Sequence, residues 1–107
     1  GEVAAVFTIL EESTVKAIAT PVNYYQPDYG MFLDTIPCGD VPDVDINELP
    51  VGLGKGPVLI QSQTLAAAHL HNTSHPKLME AVETIAQSEC IQVQPVAFNG
   101  AWTFRHY

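Results

Sequence analysis

Two stretches of this chain are apolar at successive positions rather than at alternate ones. The first is Val3 to Leu10 (VAAVFTIL) and the second is Met31 to Leu33 (MFL). Unbroken β-branched and aliphatic runs of this length predict strands buried on both faces, as in α/β sheets. Each run ends on acid: Glu11 and Glu12 close the first, and Asp34 closes the second. In open α/β sheets, ligands bind just beyond the carboxyl ends of the strands. If the two strands are parallel neighbours, three carboxylates share one rim.

The pattern between and after these runs predicts the remaining elements. Ser13 is placed to cap a short helical turn through Thr14 to Ala19, with Pro21 as its stop. Val22 to Tyr29 reads as loop, with turn formers Asn23, Pro27 and Asp28, and Gly30 to Asp34 as the second strand. From Thr35 to Pro50, three prolines and one glycine break every period, which predicts an ordered acidic loop. The glycines of Val51 to Pro57 predict a tight approach into a strand over Val58 to Ser62. Thr64 to His71 is either an extension of that strand or a short helix. A helix follows over Ser74 to Glu89, with Ser74 as cap and Pro76 in its first turn. Its apolar face is Leu78, Met79, Val82, Ile85 and Ala86. Ile91 to Phe98 is the last strand. The order predicts an α/β fold: one domain over residues 1–107, with a small, largely parallel or mixed sheet and one main helix packed on it.

Composition narrows the function. Twelve acids against four bases give a net charge of −8. With no basic cluster to offset it, this charge excludes nucleic-acid backbones and anionic membrane surfaces as partners. No apolar stretch approaches the length of a membrane span, and no basic-then-apolar leader opens the sequence. Only 15% of residues are charged, which points to a surface partly covered by a second copy, hence a homo-oligomer. Cys38 and Cys90 stand far apart and in no motif, which suits free thiols in a reducing, cytoplasmic compartment.

Adjacent glutamates at a strand end can divide labour, one ligating a metal while its neighbour acts as general base. The plainer reading is a solvated pair at a strand-to-helix junction, and spacing alone favours it. The apolar run into Asp34 weighs on the side of function, because an acid closing a buried strand is costly unless it is paired or ligating. His69, His71 and His75 have a zinc-compatible spacing, but no acid or cysteine nearby completes a shell and His75 serves as helix entry. Lys55 among its glycines lacks the spacing of a phosphate loop and reads as a solvated loop lysine. The tail aromatics Phe98, Trp102, Phe104 and Tyr107 read as core or oligomer contacts.

Four segments in order, TILEE, PDYGMFLDTIPCGDVP, ELPVGLGKGPVLI and SHPKLMEAVETIA, resemble the catalytic domain of the glutamyl and deblocking metallo-aminopeptidases, a family also described as endoglucanases. The resemblance spans roughly Val3 to Val96 and implies a truncated three-layer zinc-peptidase-like domain acting on a peptide substrate. By that resemblance Glu11 matches the general base, Glu12 a ligand of one metal and Asp34 a ligand of the other, in a two-zinc or two-cobalt site. Asp40 and the Gly54 to Pro57 loop match framework. The family's G-L-R-G-A after the glutamate pair is replaced here by Ser13-Thr14-Val15-Lys16-Ala17, and its G-G-T-D by Asn99-Gly100-Ala101-Trp102. The chain also starts after the family's first metal-binding histidine and bridging aspartate and stops before its last histidine. His106 is a weak substitute. The expectation is therefore an isolated chain inactive as a peptidase, with a non-catalytic α/β binding or dimerisation module as the alternative.

Overall fold

The computed structural model describes residues 1–9, 15–65 and 70–99, and the side chains of 1–9, 17–64 and 71–97. The chain divides into two compact units, Gly1–Asp34 and Thr35–Tyr107.

In the first unit a 3₁₀ turn over Val15–Ile18 runs directly into helix α1, Ala19–Tyr25. Pro21 was expected to end the helix, yet it lies in the first turn of α1. There its missing N–H costs no hydrogen bond and its fixed φ suits the helix. The helix ends instead at Gln26, which adopts a left-handed φ of 44° and donates its N–H to the Val22 carbonyl at 2.9 Å. Tyr24 and Tyr25 meet edge to face, ring centroids 4.9 Å apart. Residues 1–8 and 29–38 have no assigned strand. The two apolar runs therefore stay out of any ladder among the described residues, and Phe7 and Leu33 are 93% and 88% exposed. A run with no polar face needs cover on both sides, and here the described side chains of both runs stay exposed.

The second unit carries a three-stranded mixed sheet in the order β2-β1-β3, with β1 at Val58–Leu65, β2 at Leu70–Thr73 and β3 at Gln94–Asn99. β1 runs antiparallel to β2, pairing Thr64 with His71, and parallel to β3, pairing Ile60 with Val96. Thr64 and Leu65 thus extend β1, and Leu70 and His71 open the antiparallel β2; residues 66–69 lie outside the described residues. The register slips between Ile60 and Ser62, a bulge at Gln61, whose carbonyl accepts the Ser74 N–H at 2.9 Å. Pro95 can sit in β3 because β3 is an edge among the described strands.

Helix α2, Pro76–Ser88, packs on β1 and contributes the buried Ala86. Its N-cap is His75, without a side-chain cap bond. Ser74, expected to be the cap, donates its hydroxyl to the Ile60 carbonyl at 2.6 Å and so ties the helix entry to β1. At the other end the Cys90 N–H bonds the Gln87 carbonyl at 3.2 Å and the Ile91 N–H bonds the Ala86 carbonyl at 2.8 Å. Cys90 has φ +55°. This is a Schellman motif with cysteine in the left-handed position. It explains why β3 opens at Gln94 and not at Ile91, since the N–H of Ile91 is already used to close the helix.

The core of this unit is Leu49, Val51 and Val96, with Cys38, Val44, Val58 and Ile60 packed around them. One of its three buried members, Leu49, comes from the proline-rich acidic stretch, and Val51 follows directly after it. Asp45 organises a turn there: its Oδ1 accepts the Asn47 N–H at 2.8 Å and its carbonyl accepts the Leu49 N–H at 3.1 Å. That turn aims Leu49, only 1% exposed, into the core.

Candidate functional site

Of the three acids expected to form the rim, Asp34 alone falls within the description. It closes the extended 31–34 run with an exposed side chain. Glu11 and Glu12 lie outside the described residues, as do His69, Trp102, Phe104, His106 and Tyr107. Phe98 belongs to β3, its side chain outside the description.

The other histidines are accounted for structurally. His71 on β2 sits between two hydroxyls, Thr64 Oγ1 at 3.0 Å from Nδ1 and Thr73 Oγ1 at 3.2 Å from Nε2. Both ring nitrogens are thus engaged by hydroxyls of β1 and β2. His75 is the N-cap residue of α2.

The best organised polar cluster surrounds the glycine-rich loop of residues 51–57. Gly52 donates its N–H to Gln94 Oε1 at 2.9 Å, and the Gln94 amide donates back to the Gly52 and Gly56 carbonyls at 3.1 and 2.8 Å. One carboxamide thereby replaces several missing ladder bonds. On the other side Leu53 donates its N–H to Asp40 Oδ2 at 2.9 Å. That bond, then one from the Cys38 thiol, holds the Asp40 carboxyl below the usual carboxylate range, with a smaller contribution from the charge of Lys55. The same thiol–carboxylate bond, with desolvation and the Asp40 charge, pushes the Cys38 thiol up, so Cys38 is a protonated donor and a poor nucleophile. Both cysteines are free. Lys55 lies back over Gly52, where an added Cβ would meet its Cδ at 2.7 Å.

For a divalent metal, the exposed Asp34 carboxylate is a suitable donor type for zinc or cobalt. One carboxylate is not a shell, and among the described residues no three His, Cys, Asp or Glu side chains come together. The first unit also has an open apolar cleft of about 510 Å³, lined by Val6, Phe7, Ile9, Pro21, Tyr24 and Tyr25 among others. Its walls are mainly apolar and aromatic, with the Thr8 and Thr20 side chains among them, and hold no His, Cys, Asp or Glu. Among the described residues no helix is long and apolar enough to cross a membrane.

Comparison with known families settles the lineage. The family model for the M42 glutamyl aminopeptidases matches residues 1–103. The chain belongs to that family. No solved structure matches it. The four ordered segments that resembled the family in sequence all fall within the matched residues. The glutamyl aminopeptidase family is a family of metal-dependent peptidases, so hydrolysis at a peptide amino terminus is the chemistry of its lineage. Sequence reasoning missed Gln94 as the organiser of the loop. The only signal in the sequence was a glutamine just ahead of the apolar Pro95–Phe98 run, and its pairing with the distant glycine segment is not visible there.

Proposed function

We propose that this chain carries part of a metal-dependent aminopeptidase centre, with Glu11 as general base, Glu12 and Asp34 as metal ligands and a peptide amino terminus as substrate. The observation that carries this reading is the family match over residues 1–103, taken with an acid at each of the three positions where the resemblance calls for one. A zinc or cobalt ion, when bound, supplies Lewis acidity toward the peptide carbonyl. Glu11 is suited to take a proton from the attacking water and return it to the leaving amine, as a carboxylate beside a metal centre does. Glu12 and Asp34 supply hard oxygen donors and would orient the ion.

Two ligands fall short of the roughly three protein donors that a catalytic zinc needs. The 107-residue polypeptide alone is therefore expected to bind metal weakly and to cleave no peptide. Titration of the metal-stripped protein with zinc and with cobalt by calorimetry tests this. Weak binding that is lost in both Glu12→Ala and Asp34→Ala supports the ligand roles, with circular dichroism confirming that each variant stays folded. Binding that persists unchanged in both variants overturns them.

A second reading, a non-catalytic binding or dimerisation module, is favoured by the exposure of Phe7, Ile9, Met31, Phe32 and Leu33. It predicts self-association with no response to metal.

A further inference from the structure

Two neighbouring amides on the 51–57 loop are held by acceptors of different kinds. The Gly52 N–H is bound by Gln94 Oε1, a carboxamide, and the Leu53 N–H by Asp40 Oδ2, a carboxylate, both at 2.9 Å. The carboxamide does not titrate; the carboxylate does. We propose that Asp40 is an acid-releasable latch on the tip of this loop, while Gln94 is its permanent hinge.

The groups that face Asp40 make its release a single event. The Cys38 thiol and the Leu53 N–H both donate to the carboxylate, and the Lys55 ammonium attracts it. Protonation weakens all three together, because a neutral acid is a poorer acceptor and carries no charge for Lys55. The Gln94 bonds to Gly52 and Gly56 are untouched by pH. Acid therefore frees Leu53 to Lys55 and leaves the base of the loop closed. Because the folded-state pKa of Asp40 is depressed, the latch contributes stability above the unfolded value and loses it as pH falls through the folded value. Leu53 is exposed and Gly54 has φ +70°, so the released tip meets little packing that would hold it in place.

Amide hydrogen exchange followed by NMR tests the latch, reading Leu53 protection against that of Gly52 in the same sample. In the wild-type chain the ratio should fall roughly tenfold on acidification through the Asp40 transition, the size expected for losing one charge-assisted hydrogen bond. At neutral pH, Asp40→Ala should show that loss already, with Gly52 still protected. Asp40→Asn keeps an acceptor but cannot ionise, so its ratio should stay flat with pH. Should acid unfold the whole chain, both amides lose protection together and the neutral-pH comparison decides. A Leu53-to-Gly52 ratio unchanged in Asp40→Ala overturns the proposal. So does a wild-type pH profile reproduced by Asp40→Asn.

Discussion

Cys90 shows how a single residue type can be at odds with its place. It occupies the left-handed C′ position of the α2 Schellman motif at φ +55° and is exposed. Residues with a Cβ are disfavoured there by about 1 kcal/mol or more, and glycine is not. The two bonds that close the helix, from Cys90 and Ile91, involve backbone only. Cys90→Gly should therefore stabilise the fold by roughly 0.5–1 kcal/mol, seen as a shift in the urea midpoint at constant slope. A midpoint that falls would mean the thiol makes a contribution the backbone geometry does not suggest. Cys38 is the opposite case: its side chain packs on the core and donates to Asp40. The two cysteines should differ accordingly in alkylation, Cys90 reacting first.

Among the elements, the glycine loop is the most constrained. Gly56 has φ +87°, and a Cβ there would run into the Gln92 carbonyl. Gly56→Ala combines backbone strain with a clash against backbone that cannot move without disturbing the Gln94–Pro57 bond at 2.8 Å. A loss of at least about 2 kcal/mol is expected, read by thermal or urea unfolding. Wild-type stability in this variant would show that the loop is not held as closely as its bonds imply. Much at this scale was legible beforehand. Pro76 and the Leu78–Ala86 stripe marked α2, and the apolar Val58–Ile60 run marked β1, because period and helix-start signals are local. What was not legible depends on contacts distant in sequence. Pro21 was read as a stop because its position relative to the preceding 3₁₀ turn was unknown, and Ser74 as a cap because its hydroxyl had no visible competitor. That competitor is the Ile60 carbonyl, fourteen residues away in the chain. The acid rim was legible as residue types only: Asp34 is placed at the end of its run, and Glu11 and Glu12 lie outside the described residues.

At the scale of the whole molecule, exposed apolar surface and net charge oppose each other. The first unit exposes Phe7, Ile9, Met31, Phe32 and Leu33, residues whose sequence pattern is that of buried strands. Apolar surface of this kind is worth about 25 cal/mol per Å² when covered, so contact with a second copy is favoured. A net charge of −8 on 107 residues resists the same contact by repulsion. Salt distinguishes the two forces, because it screens exposed charges within a Debye length of about 10 Å at 0.1 M and leaves apolar burial intact. Light scattering should therefore show a mass that rises with protein concentration and rises further as sodium chloride is added. Phe7→Asp and Leu33→Asp, each placing a charge on the exposed surface, should shift both curves back toward monomer. Monodisperse monomer at every concentration and salt level would mean that this apolar surface is not used between copies, and the dimerisation reading would fall with it.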